Sequence, residues 1–182
     1  MLGIDPGSNI TGWGVVEQIQ GRLLHIDNGG IFTREDGFQE RLKEIYDGLC
    51  EVIREYEPTG VSLENVFMSK NAMSALKLGQ ARGVAMIAAL NAGLRVLEFT
   101  PMQIKLAVTG HGHAKKDQVG LMVQAVLGLP EPAQVDASDA LAAAITGLLQ
   151  RPDHSPASKI LAEAEAAARG KRRRPKKLDI AI

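Results

Sequence analysis

Apolar residues change their spacing several times along the chain, and each change marks an element. Leu2-Gly3-Ile4 is a short apolar run that stops at Asp5-Pro6-Gly7-Ser8. Pro and Gly both interrupt regular structure, so a strand running into a turn is predicted. Over residues 11–17, Trp13 and Val15 alternate with smaller neighbours, as in a second strand. The Gln20-Gly21 turn leads to a third strand through Leu23, Leu24 and Ile26, reaching about Phe32. Three strands joined by short turns imply an antiparallel meander. From Phe38 the spacing becomes helical: Leu42, Ile45, Leu49, Val52, Ile53 and Tyr56 follow mostly at three- and four-residue steps, and Pro58 ends the pattern. That is one apolar face of an amphipathic helix. Residues 59–64 return to strand, with Val61 and Leu63 on one face. A long helix rich in Ala and Gly is predicted over 71–91, a fifth strand over 94–99, and two shorter helices near 101–108 and 115–127. The final helix covers about 136–149, and Arg151-Pro152 stops it.

Strands first, then alternating helix and strand, give an α/β fold with a mixed five-stranded sheet. Three strands are antiparallel, the later ones parallel, and helices cover both faces. The 182 residues suffice for one domain with a full core plus a tail. The domain is expected to span 1–150, and 151–182 to form a basic, flexible tail. No apolar run approaches a membrane span. The N-terminus shows neither the basic start nor the apolar stretch of a signal peptide. A single cysteine, Cys50, excludes an internal disulfide and a cysteine zinc cluster. A reducing, cytoplasmic setting is expected.

The net charge of zero conceals an asymmetry. Residues 1–150 hold 12 Lys+Arg against 17 Asp+Glu, and residues 151–182 hold 9 against 4. Most of the basic excess is the run Lys171-Arg172-Arg173-Arg174-Pro175-Lys176-Lys177. Such a run is either a solubilising tail or a source of non-specific attraction to nucleic acid.

Four carboxylates stand out by position. Asp5 and Glu64 each end an apolar strand, where burying an unpaired carboxylate is costly. Neighbouring strands would bring both to one sheet edge. Asp136 and Asp139 are three apart at a helix start and share a face. Convergent carboxylates repel one another unless a cation intervenes, and hard oxygen ligands suit Mg²⁺. Two such ions roughly 4 Å apart can activate water and stabilise the leaving oxygen of a phosphodiester. Each acid also has a plainer reading. Asp5 could be a turn residue, Glu64 a strand end, and Asp136-Ala137-Ser138-Asp139 a capping box.

Several stretches resemble the RuvC family of crossover junction endodeoxyribonucleases. They are Leu2-Gly3-Ile4-Asp5-Pro6-Gly7-Ser8, Glu64-Asn65-Val66-Phe67-Met68, the segment from Asn71 to Val84, and Asp136-Ala137-Ser138-Asp139-Ala140-Leu141-Ala142. The resemblance covers about residues 1–150 in order. It implies a ribonuclease-H-like fold and a homodimer. It further implies Mg²⁺-dependent resolution of Holliday junctions by paired symmetric nicks, in homologous recombination and DNA repair. Two ions per active site are implied, with Mn²⁺ a possible substitute, and Asp5, Glu64, Asp136 and Asp139 take the acidic metal positions. A branch-migration complex of the RuvA and RuvB type is the implied partner.

The same resemblance places Lys105 and Lys116 near the active site against DNA. It places Phe67 on junction bases, where stacking is worth roughly 1–3 kcal/mol; the plainer reading is a core phenylalanine. Lys115 and Lys116 follow Gly110-His111-Gly112-His113 at a helix start, where backbone N–H groups can cradle phosphate. The plainer reading is a solvated loop. The histidine pair lacks further ligands for zinc. Lys77 and Arg82 lie on the long helix, as phosphate contacts or as a solvated face. Ala75, Gly79 and Gly83 recur every four residues there, as small residues do where helices approach closely. Packing on the helix's own sheet would explain them too, but the family favours a dimer contact. A two-fold protein also suits a two-fold junction.

Two other classes compete. An actin-like phosphotransferase begins with a similar strand and Asp/Gly turn, but commonly needs more than about 300 residues. A junction-binding protein without catalysis would be favoured had an acid of the quartet been lost, and none is.

Overall fold

A Gln20-Gly21 turn with positive φ at both residues (50° and 81°) reverses the chain between its second and third strands. Such a turn matches the twist of paired strands. The ladder therefore runs up to the turn, and β2 (Ile10–Ile19) is longer than its alternation suggests. Ile19 pairs with Arg22 although it is exposed, so backbone pairing extends this strand where the apolar pattern has already stopped.

The computed structural model describes residues 1–65 and 71–150. Before β2 comes β1 (Leu2–Asp5), and after it β3 (Arg22–Phe32), α1 (Phe38–Tyr56) and β4 (Val61–Glu64). Next are α2 (Ala72–Asn91), β5 (Val96–Phe99), α3 (Pro101–Thr109), α4 (Lys116–Leu127) and α5 (Val135–Leu149). The strands lie in the order β3-β2-β1-β4-β5. The β3-β2-β1 pairs are antiparallel, and β1-β4 and β4-β5 are parallel. This is the mixed five-stranded sheet the sequence predicts. Met1–Gln150 forms one compact unit. The segment 151–182, with its basic run, lies outside the described residues.

Helices cover both faces of the sheet. On one, Leu2, Ile4, Val15, Val61 and Leu63 meet Ile45, Leu49 and Val52 of α1 and Ala81, Ala85 and Ala88 of α2. On the other, α5 lies along the sheet centre with α3 and α4 outside it. Every residue of α5 from Ala140 to Leu148 is buried. Its closeness to the sheet depends on glycine. A Cβ on Gly3 of β1 would stand 1.8 Å from the carbonyl oxygen of Ala140, and one on Gly12 of β2 would stand 2.1 Å from that of Asp136. Real carbon–oxygen contacts are far longer, so any side chain at either position would push α5 off the sheet.

Gly3→Ala should destabilise the fold by at least about 3 kcal/mol, the upper range for overpacking, because the obstruction is backbone. Gly79→Ala meets nothing within 4 Å and replaces glycine inside a helix. It should stabilise the monomer by roughly 0.5–1 kcal/mol. Urea unfolding of the two variants, compared by midpoint at unchanged slope, checks both signs.

Candidate active site

Strand alternation decides where the first two carboxylates point. Leu2 and Ile4 enter the core under α1 and α2, so Gly3 and Asp5 face α5. Val61 and Leu63 do the same on β4, so Ser62 and Glu64 face α5. The Ser62 hydroxyl confirms this by donating to the Ala143 carbonyl of α5 at 2.6 Å. The parallel register Leu2↔Val61, Gly3↔Ser62, Ile4↔Leu63 then makes Asp5 and Glu64 the ends of adjacent strands, on one face at one edge.

The second pair arrives with α5. Gly12, paired with Asp5 across the ladder, lies beneath the Asp136 backbone. The start of α5 therefore sits over Asp5. The helix begins at Val135, one residue before the position its pattern suggests, and its N-cap is Gln134. Gln134 accepts from the Ala137 N–H, so the acids of Asp136-Ala137-Ser138-Asp139 do not form the capping box they resemble. The turn after β1 is closed by Thr11, whose hydroxyl donates to the Gly7 carbonyl at 2.9 Å, rather than by Asp5. Arg41 holds the far side of that turn, donating to Asn9 Oδ1 at 2.7 Å and to the Glu35 carbonyl at 2.6 Å. Neither the turn nor the cap accounts for the acids.

Their proximity appears as charge. Burial pushes the Asp5 carboxyl up to about 7, with Asp139, Glu64 and Asp136 adding to the shift and Lys116 opposing it. Burial also raises Glu64, with Asp139 adding and Lys116 and Lys105 opposing. Lys116 is raised in turn, chiefly by its hydrogen bond to Asp139. Its ammonium stands 2.6 Å from Asp139 Oδ2. Glu64, Asp139, Lys105, Lys116, Pro101, Ile104, Val119 and Ala142 line a cleft of about 260 Å³. Four acids and two lysines thus meet at one end of the sheet. Lys116 holds Asp139 and Gln134 holds Asp136, at 2.7 Å. Among the described residues no three His, Cys, Asp or Glu side chains stand ready to grip one ion together. The chemistry of the donors nevertheless fits a divalent cation: they are hard carboxylate oxygens whose crowding a cation would relieve.

The other predicted residues lie elsewhere. Lys115, the N-cap of α4, is exposed and does not line the cleft. His111 and His113 are exposed in the preceding loop. Lys77 sits on the α1–α2 side of the sheet, its ammonium 5.4 Å from the centre of the Phe38 ring, a cation–π distance. Arg82 does not project freely, since its guanidinium is paired with Glu98 of β5 and its Nε is buried. Gly79 and Gly83 are exposed on α2, and Ala75 is half-buried. Phe67 lies outside the described residues. Two residues escaped sequence reasoning. Gln134 and Arg41 are ordinary polar residues by type, and only their hydrogen bonds set them apart.

Residues 1–147 match the family model described as crossover junction endodeoxyribonuclease RuvC. A protein of that description from Syntrophotalea carbinolica is 60% identical over 146 residues, which cover 80% of this chain and 91% of that one. Another from Geobacter sulfurreducens is 58% identical over 148 residues, covering 80% and 89%. Among solved structures, T. thermophilus RuvC in complex with Holliday junction substrate superposes with a TM-score of 0.76 at 37% identity, covering 81% of this chain and 91% of that one. The yeast mitochondrial Holliday junction resolvase shares the fold, with a TM-score of 0.57 at 11% identity, covering 80% and 77%.

Asp5 makes the metal-free fold sensitive to pH. An ordinary aspartate ionises near 3.8, and folding raises this one to about 7. Between those values the folded chain keeps a proton that the unfolded chain releases. The contribution to stability is therefore complete below about pH 4 and is lost as pH rises towards 7. In EDTA at pH 8, Asp5→Asn should raise the melting temperature by roughly 5 °C, and the gain should vanish by pH 4. Calorimetry across that range measures it.

Proposed function

The chain belongs to the RuvC family of crossover junction endodeoxyribonucleases, and we propose on that footing that it resolves four-way DNA junctions by paired symmetric nicks, in recombination and repair. One observation carries the reading: Asp5 is driven up to about 7 by burial and by Glu64, Asp136 and Asp139, which β1, β4 and α5 deliver to one sheet edge. Such a cluster stores electrostatic strain that a folding protein has no reason to keep, and perturbed carboxylates gathered beside a cleft mark a functional site. A structural relative, T. thermophilus RuvC, is seen in complex with Holliday junction substrate, which supports the same substrate class here.

The four acids would hold Mg²⁺, as two ions per site, or Mn²⁺ in its place. The cation supplies Lewis acidity, polarising a phosphodiester and making water nucleophilic at neutral pH. The chain's own residues do the rest. Asp5 and Glu64, fixed at strand ends, and Asp136 and Asp139, fixed on a buried helix, hold their carboxylates without a search through conformations. Lys116, bound to Asp139, and Lys105, across the cleft, present ammonium groups where a scissile phosphate would lie. There they neutralise charge that grows on phosphoryl oxygens during the displacement. Asp139 would be shared between Lys116 and a cation, and Lys116, exposed at the cleft, would remain in reach of the DNA phosphate.

The opposite side of the molecule supports the reading as a homodimer. Helix α2 exposes Met73, Leu76, Ile87 and Leu90 with the bare glycines Gly79 and Gly83. These share one face at helical spacing. Beside them Leu42, Tyr46, Val84 and Ile87 line an apolar groove between α1 and α2. A second copy packed there would bury this surface and set two cutting sites against a two-fold junction. For Lys77, over the Phe38 ring near the start of α2, the family resemblance alone supports a backbone-phosphate contact, whereas the pairing of Arg82 with Glu98 favours a supporting role for Arg82. A branch-migration complex of the RuvA and RuvB type is the expected partner, and the cytoplasm the expected compartment.

The direct test maps cuts on a labelled mobile four-way junction with Mg²⁺, beside the matching duplex and an EDTA control. Paired nicks confined to the junction are expected. Asp5→Asn and Asp139→Asn should each slow cutting at least about a hundredfold while junction binding persists. Binding without cutting in any divalent metal would move the assignment to a non-catalytic junction binder.

The dimer makes a separate prediction. Ile87→Asp should yield monomers in sedimentation velocity with the circular dichroism of the folded chain. Unchanged dimers would place the interface elsewhere.

A further inference from the structure

Gln134 is an unexpected residue to find capping α5. Serine, threonine, aspartate and asparagine are the favoured N-caps, because a short side chain reaches back to the first free N–H groups. The longer Gln134 side chain still caps, its Oε1 accepting from the Ala137 N–H at 3.2 Å. Its extra reach lets the other end of the same amide do something a short cap cannot. Nε2 donates to Asp136 Oδ2 at 2.7 Å. One planar group thus grips the helix backbone with its acceptor and a carboxylate with its donor. An aspartate cap would instead place a second negative charge beside Asp136.

We propose that Gln134 is a positioning residue for the metal site, locking the Asp136 carboxylate in orientation through the α5 cap. The inference rests on the reading of the four acids as cation ligands. Carboxylates that bind metals are commonly themselves hydrogen-bonded, and losing that support weakens the metal or the activity. Here the support is anchored to backbone. The amide cannot rotate away from Asp136 without breaking the cap, so the carboxylate inherits the rigidity of a buried helix. Asp139, one turn on, is paired instead with Lys116, an exposed side chain without a backbone anchor on α5. Asp136 is therefore the acid that stands in a prepared orientation before any cation arrives.

A cap and a positioning residue respond differently to substitution, which makes the proposal testable in the full chain. Gln134→Ala removes both bonds. Gln134→Ser restores a strong cap but cannot reach Asp136. In EDTA, the alanine variant should melt about 2–4 °C below the parent and the serine variant level with it. Titrating Mg²⁺ or Mn²⁺ without DNA and following the rise in melting temperature reads the metal affinity. Both variants should need about three- to tenfold more metal for half the rise, less than a buried support would cost because Gln134 is exposed. Combined with Asp136→Asn, neither should add a further shift, since the two act through one carboxylate. The proposal is overturned if serine restores the metal requirement along with the melting temperature, for Gln134 is then a cap alone. It is also overturned if the serine effect persists in Asp136→Asn. Should Asp136→Asn itself leave the metal titration unmoved, the metal-site reading fails and takes this proposal with it, a result visible before any Gln134 variant is made.

Discussion

Helix α5 rests on β1 and β2 at a separation that only glycine permits. The carbonyls of Ala140 and Asp136 occupy space where Cβ atoms of Gly3 and Gly12 would be. This contact does more than fill the core. A buried, closely seated helix has almost no freedom to slide or tilt, since both its backbone and the strand backbone are rigid. Its first turn is therefore fixed relative to the end of β1, and Asp136 and Asp139 are fixed relative to Asp5. Ser62 adds a pin on the other side, from β4 to the Ala143 carbonyl. The site inherits its geometry from backbone packing that begins at Asp136 itself and continues one turn along the helix at Ala140.

That rigidity holds like charges together. Asp5 stays protonated to about 7 because it is buried among Asp139, Glu64 and Asp136. The free chain would never gather them, so the fold must stabilise the gathering through the apolar layers on each side of the sheet. The lysines offset part of the repulsion. Lys116 and Lys105 oppose the shift at Glu64, and Lys116 opposes it at Asp5. The same lysine charges that settle the crowded acids are suited to receive a polyanion.

The sheet separates two tasks. On the α5 side, acids and lysines converge at one edge. On the other, α1 and α2 seal the core with Ile45, Leu49, Ala81 and Ala85 while α2 turns a bare apolar stripe outward. An interface built on that stripe would leave the cleft open, so association and chemistry would not compete for surface.

Local periodicity determined most of this architecture by itself. Two-residue alternation in β1 and β4 fixed which residues face α5, and three- and four-residue steps made α1, because these spacings follow from backbone geometry and solvent exclusion. The acids stood out from sequence because an apolar strand ending in a carboxylate is costly without a purpose. The family resemblance added the substrate. Tertiary structure alone decided the rest. Whether Asp5 and Glu64 end adjacent strands depends on strand order. Whether Arg82 is free or paired depends on β5 bringing Glu98 beside it. The cap of α5 falls to Gln134 rather than to its acids because of how the chain enters the helix. Such contacts join residues by three-dimensional closeness, which a one-dimensional pattern of apolar and polar positions does not encode.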